Sequence, residues 1–250
     1  MSATLSHIFR HPLKAIGRES LDTVALTPGA WLPWDRLWAI AHDRAKLHGD
    51  GWHHKANFLR GVTEPSLMAA TCAFDAETGA LTLDHPEAGG VTIRPDDRAD
   101  WPTLSDWLSR VWPADLPAPT HVFRAGSAHQ TDAPDPWIAI HNHTTHRAVE
   151  QRAGRPMSIH RWRGNLWIEG LAPWQEFEWI DRQITIGTVT FDVVQRITRC
   201  KATHANPDTG RRDMETLDVL RTWDHQDFGV FAKVASGGTI SLGDPVMVPA

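Results

Sequence analysis

The segment Thr198-Arg199-Cys200-Lys201 sets a thiol between two cations. Positive charge beside a thiol favours its ionised form, and a thiolate is both a nucleophile and a ligand for soft metals. Cys200 is therefore the leading candidate for a working atom, the alternative being a cysteine packed as a small inert hydrophobe. The chain has only Cys72 and Cys200 among 250 residues, so one chain cannot assemble a disulfide framework, a four-thiolate zinc site or an iron–sulfur cluster. Cys72 lies in the apolar run Met68 to Phe74, without cationic neighbours, and reads as packing.

Other clusters carry less chemistry. His141, His143 and His146 are close in sequence, and His53-His54 offers two more nitrogens, but the first three straddle an expected strand-to-helix junction and lack a carboxylate or thiol at a metal-binding spacing. Capping and surface roles are expected for them. Glu169 and Asp208 read equally well as acids or as turn and strand-end residues. No phosphate-loop, dinucleotide-binding or nucleophile-elbow signature occurs, which removes the main support for common nucleotide and hydrolase functions.

The formal net charge is −5, which argues against a broad nucleic-acid surface, because phosphate backbones demand a basic excess or a dense basic stripe. No apolar segment approaches the roughly 20 residues that span a bilayer. His7, Arg10, His11 and Lys14 fall where a signal peptide would be apolar, so a soluble cytoplasmic chain is expected. Thirteen tryptophans without a tyrosine indicate bulky packing rather than a function.

These candidates need elements to position them. Short strands are expected at Arg36 to Ile40, Met68 to Phe74, Leu81 to Leu83 and Val91 to Ile93, with turns at Glu77-Thr78-Gly79 and Gly89-Gly90. A helix is predicted from Thr103, with Asp106 closing an acidic capping box, Leu104, Trp107, Leu108, Val111 and Trp112 on one face, and Pro113 as its stop. Five prolines between 113 and 136 mark a connecting segment. The expected division is an N-terminal β-barrel-like domain at 1–112, a Pro-rich connector at 113–136 and a second domain at 137–250. Beyond the connector the pattern predicts a strand at Trp137 to Ile140 and a helix from Thr144 to Ala153 closed by Gly154. Strand-like alternation runs from Ile184 to Ile197 with a change of phase at Gly187, and a helix is expected around Met214 to Trp223. A final strand pair is expected at Phe228 to Val234 and Thr239 to Val248, joined at Gly237-Gly238. The fold class is mainly β (α+β), with a β-barrel-like second unit and a few short helices.

In order, Arg199-Cys200, Asn206-Pro207-Asp208-Thr209-Gly210, Phe228-Gly229-Val230-Phe231 and Gly237 through Gly243-Asp244-Pro245-Val246 resemble the MOSC domain, named for its relation to the C-terminal part of molybdenum cofactor sulfurases. The first half resembles the N-terminal β-barrel that accompanies MOSC in the mitochondrial amidoxime reducing component and its bacterial relatives. Pro12-Leu13-Lys14-Ala15 is similar to that family's Pro-Val-Lys-Ser start, Asp35-Arg36-Leu37-Trp38 to its Asp-Arg-Phe-Trp strand, and Arg161-Trp162-Arg163-Gly164-Asn165 to its Arg-Pro-Asn segment. The resemblance implies a molybdenum–molybdopterin cofactor (Moco). Cys200 would be its metal ligand and the catalytic residue, Lys14, Arg36 and Arg163 the partners of the pterin phosphate, and Asn165, Thr198, Arg199 and Phe231 further lining. Guanidinium groups hold phosphate bidentately, and thiolate suits a soft metal. Two departures stand out: Ala15 replaces a serine of the family pattern, and Asp135, within Ala133-Pro134-Asp135-Pro136, sets a carboxylate where relatives have hydroxyl residues.

The implied activity is reduction of N-hydroxylated small molecules, with electrons supplied by separate redox proteins because two cysteines cannot carry a ferredoxin module. Two other functions stay open: a cofactor carrier or sulfur-handling module without turnover, and a cofactor-free MOSC-fold binding protein. The carrier would bind cofactor yet reduce no hydroxylamine, and the binding protein would purify without molybdenum.

Overall fold

The computed structural model describes residues 3–248. The chain folds mainly into β structure, with three α-helices among the described residues: α1 at Trp101–Leu108, α2 at His143–Ala153 and α3 at Thr216–Arg221. None of its described helices is long and apolar enough to cross a membrane.

Its centre is an eight-stranded sheet in the order Val246–Met247, Gln183–Ile186, Val189–Thr198, Asp227–Ser236, Ile138–Asn142, Leu166–Glu169, Thr4–Arg10 and Glu19–Leu21. The first strand of the chain therefore pairs with one formed some 160 positions later, Ile8 opposite Leu166. Ile138–Asn142 and Leu166–Glu169 run parallel, which requires a crossover, and α2 supplies it. That helix forms as its sequence predicts. The Asn142 side chain accepts from the Thr144 amide at 2.9 Å, and Gly154 ends the helix at φ 70°, a conformation strained for other residues. Alternation then separates two faces of the sheet. Leu5, Ile8, Ile140, Leu166, Ile168, Phe191 and Val230 enter one core; Phe9, Trp167 and Phe228 enter another with Trp162 and with Val149 of α2 and Leu220 of α3. Burial of each such aliphatic or phenyl side chain contributes about 1.5–3 kcal/mol.

The first half adds a meander of Thr71–Asp75, Ala80–His85 and Gly89–Ile93, whose buried side packs with Leu13, Trp38, Leu67, Trp107 and Trp112. Within the Pro-rich stretch, Pro119–Phe123 pairs antiparallel with Ala39–His42.

Several expectations need correction. The alternation from Ile184 to Ile197 breaks at its change of phase into two strands, Gln183–Ile186 and Val189–Thr198, which pair antiparallel. The final pair does not form: Gly238–Ser241 leaves the preceding strand and pairs with Thr23–Leu26, Ile240 opposite Val24, because periodicity marks a strand but carries no information about its partner. Helix α1 begins at Trp101, with Pro102 in its first turn and the 3-10 turn Arg98–Asp100 before it; Asp106 caps nothing and instead accepts from Arg110 Nη2 at 2.7 Å. Met68 belongs to the 3-10 turn Pro65–Ala69, and the strand starts only at Thr71. Arg36 is in no strand; its φ is 53°, and the strand begins at Ala39.

Candidate functional site

Three chain segments are laced together by main-chain hydrogen bonds. Arg36 N donates to His11 O at 2.7 Å, Lys14 N to Trp38 O at 2.8 Å and Gln130 N to Arg36 O at 2.7 Å. Beneath them Asp35 is buried, taking a hydrogen bond from His11 N at 2.8 Å on Oδ1 and one from Arg36 Nη1 on Oδ2. Burial works to raise the Asp35 carboxyl, but Arg36 and His11 hold it well below the usual carboxylate range, so it is a fixed anchor for the guanidinium. Arg36 Nη2 donates to Arg163 O at 2.8 Å, tying in a fourth segment. Ala15, Arg36 and Arg163 all have positive φ, at 66°, 53° and 48°. Left-handed residues other than glycine are uncommon and gather where surrounding structure enforces them for function.

These segments and the end of Val189–Thr198 enclose a cavity of about 570 Å³. Lys14, Arg36, Arg163, Asn165, Thr198, Arg199, Cys200 and Phe231 all line it, so the geometry brings every sequence-predicted site residue to one place. Eight cationic side chains line it against two carboxylates, Asp132 and Asp135, in a protein whose net charge is −5. Opposite charge concentrated in a concave wall raises the local concentration of an anion.

Cys200 is exposed and stands at the start of the 3-10 turn Lys201–His204, its carbonyl accepting from Thr203 N at 3.1 Å. Cys72 is far less accessible, and burial pushes its thiol up to about 12, in keeping with a packing role. Arg163 is lowered to about 9 by burial and by neighbouring Arg36; its Nη2 is buried without a hydrogen-bond partner, while Nη1 donates to Gly17 O at 3.3 Å.

Three of the lining residues reach the cavity with their polar atoms already engaged. Asn165 Nδ2 donates to Phe9 O at 3.2 Å, and its Oδ1 accepts from Ala139 N at 3.2 Å, so the side chain staples Thr4–Arg10 to Ile138–Asn142. Thr198 Oγ1 donates to Asp227 Oδ1 at 2.7 Å. Arg199 donates from Nε and Nη2 to Phe228 O and from Nη1 to Trp162 O, with Nη2 also against His141 Nε2. Burial lowers its guanidinium to about 9, the Cys200 charge opposing. Arg199 is thus an internal strut that fixes its neighbour Cys200.

The histidines do not converge on a metal. Among the described residues no group of three or more His, Cys, Asp or Glu side chains is placed to hold one. His141 is sandwiched between Trp167 and Phe228, with ring centroids 4.9 and 5.3 Å away, and burial and Arg199 push it well below its ordinary pKa. His146 faces Trp162 Nε1 and Met157 O at 2.9 and 3.0 Å, and His143 meets His7 at 3.1 Å.

Sequence reasoning passed over Lys55, Arg60, Asp132 and Trp137, which also line the cavity. Trp137 packs on Phe231 with ring centroids 5.4 Å apart. Asp132 pairs with Lys14, 118 positions away, and no local pattern marks such a contact.

An exposed thiol and eight cationic side chains thus line one cavity beside a mixed sheet. A family model described as the MOSC domain matches residues 129–247, and one described as the MOSC N-terminal beta barrel domain matches residues 2–115. The chain belongs to the MOSC family with its N-terminal β-barrel domain. It is 32% identical over 111 residues to mitochondrial amidoxime-reducing component 1 of Mus musculus, covering 39% of this chain and 32% of the relative. The component 2 protein of Homo sapiens is 28% identical over 111 residues, with the same coverages of 39% and 32%. The match thus spans about a third of the length of these curated relatives. The YuaD protein from Bacillus subtilis superposes with a TM-score of 0.49 at 11% identity, over 98% of this chain and 94% of that one.

Proposed function

We propose that this protein binds a molybdenum–molybdopterin cofactor and uses it to reduce N-hydroxylated small molecules with electrons from separate redox proteins. The MOSC family is associated with molybdenum cofactor binding, and the relatives named above are mitochondrial amidoxime-reducing components. One observation carries the reading: segments scattered over the whole chain bring a solvent-reachable thiol, the buried Lys14 and the half-buried Arg163 to one cavity.

The residues present fit such a group. A phosphate needs donors and positive charge, and the partnerless Nη2 of Arg163 is a donor in want of an acceptor. Arg36, anchored by Asp35, and Lys14 would share the phosphate; Cys200 would supply the thiolate ligand. When bound, the cofactor supplies two-electron redox chemistry. Arg199 holds Cys200 in place by engaging the Trp162 and Phe228 carbonyls, and the Trp137–Phe231 pair forms an apolar wall against which a substrate can be oriented. Overall, breaking an N–OH bond by reduction consumes two electrons and two protons and releases water.

Molybdenum and pterin should be near-stoichiometric in protein purified from a cofactor-producing host, and metal should be lost in Cys200→Ala. Loaded protein with a chemical electron donor should reduce an aromatic amidoxime. Absence of both metal and pterin from the wild type would overturn the reading; metal without turnover would leave the carrier function. Turnover with NADH and the purified chain alone would remove the need for a partner.

A further inference from the structure

Asp132 stands where an anionic ligand would have to go. Lys14 is buried in the cavity wall, and its Nζ donates to Gln130 O at 2.7 Å and to Asp132 Oδ1 at 2.6 Å. Lys55 approaches the other oxygen, its Nζ 3.6 Å from Asp132 Oδ2. Two carboxylate oxygens meeting two ammonium groups is the arrangement two oxygens of a phosphate would adopt. Although burial acts the other way, Lys14, Lys55 and Arg36 hold the Asp132 carboxyl at about 2, so it carries its charge throughout the neutral range.

Exposure differs sharply across this pair: the Lys14 side chain is 6% exposed and that of Asp132 57%. The ammonium is fixed in the wall, whereas the carboxylate lies on the solvent side and can turn outward into water without disturbing the core. A buried ammonium deprived of its counter-charge is strongly destabilised, so the charged form of Lys14 favours an anion beside it.

Resting on the cofactor reading above, we propose that Asp132 is a tethered counter-anion seated between Lys14 and Lys55, which a phosphorylated ligand displaces on binding. The tether has a consequence for selectivity. A carboxylate attached nearby competes at an effective concentration on the order of millimolar or above. A lone small anion must outcompete it at that single seat. A ligand also held at Arg163 and Cys200 gains a comparable intramolecular advantage and wins. Asp132 is in this sense a specificity-determining residue that keeps free phosphate from filling the seat.

The test uses the ligand-free 250-residue chain and inorganic phosphate, with affinity read by calorimetry. Asp132→Asn should bind phosphate at least about ten-fold more tightly than the wild type, and the gain should vanish in Lys14→Met/Asp132→Asn. Equal affinities in a folded Asp132→Asn would overturn the proposal, leaving the ion pair a structural one. Should that variant fail to fold, the wild type answers: saturation with inorganic pyrophosphate should shift the amide resonances of Thr131, Asp132, Ala133 and Asp135, and unmoved resonances would overturn the proposal. Failure of the cofactor reading is separable. A gain in phosphate affinity in a protein that purifies without molybdenum supports the counter-anion alone, and metal-loaded protein with equal phosphate affinities supports the cofactor alone.

Discussion

Glu176 is a carboxyl set in a core. It is fully buried, accepts from Asn142 Nδ2 and Thr145 Oγ1 at 2.9 Å each, and leaves Oε1 without a partner. Burial raises its pKa to about 7, against the two hydrogen bonds. Folding therefore tightens proton binding at this site. Its contribution to stability is fully present below the ordinary glutamate value near 4.5 and is lost as pH rises through about 7. By the linkage relation that is roughly 3 kcal/mol across the window. In Glu176→Gln a neutral amide stands in for the protonated acid and keeps an acceptor for Asn142 and Thr145. The variant should match the wild type near pH 4.5 and exceed it in denaturation midpoint above pH 7; parallel stability curves for the two proteins would refute the assignment.

The 3-10 turn Ile159–Trp162 and the loop after it act at the scale of an element. A Cβ on Gly164 would lie 1.8 Å from His141 Nδ1, and His141 cannot retreat because Trp167 and Phe228 clamp it on both faces. Overpacking of this kind typically destabilises by about 1–3 kcal/mol, occasionally more. The displaced ring would also press on Arg199, whose guanidinium it contacts, and so on the position of Cys200. Gly164→Ala is expected to lower the thermal midpoint and to reduce molybdenum content together, whereas a purely local turn effect would lower stability and leave metal content per folded chain unchanged.

At the scale of the molecule, the central sheet needs both ends of the chain. Leu5 and Ile8 from the first strand are fully buried against Leu166 and Ile168, and Lys14 and Arg36 reach the cavity only because that strand is in place. A fragment starting at residue 137 would leave the Leu166–Glu169 edge unpaired and apolar, a template for aggregation. We expect it to be insoluble or molten, and to become soluble when co-expressed with residues 1–136; a monomeric fragment with a cooperative unfolding transition would contradict this.

Much of this was legible in the sequence because it is local. The α2 helix between Asn142 and Gly154, the strand-like alternation on either side of Gly187 and the buried face carrying Trp107 and Trp112 follow from capping chemistry and period, which operate over a few residues. The eight candidate residues were picked out by their likeness to ordered motifs of the family, and all of them line one cavity. What the tertiary structure alone decided is which groups meet. It pairs Gly238–Ser241 with Thr23–Leu26, commits Asn165 and Arg199 to internal struts and places Asp132 on Lys14. Each of these is a contact between residues far apart along the chain. Residue type records which bonds a side chain can make, and only the closed sheet settles which partner it finds.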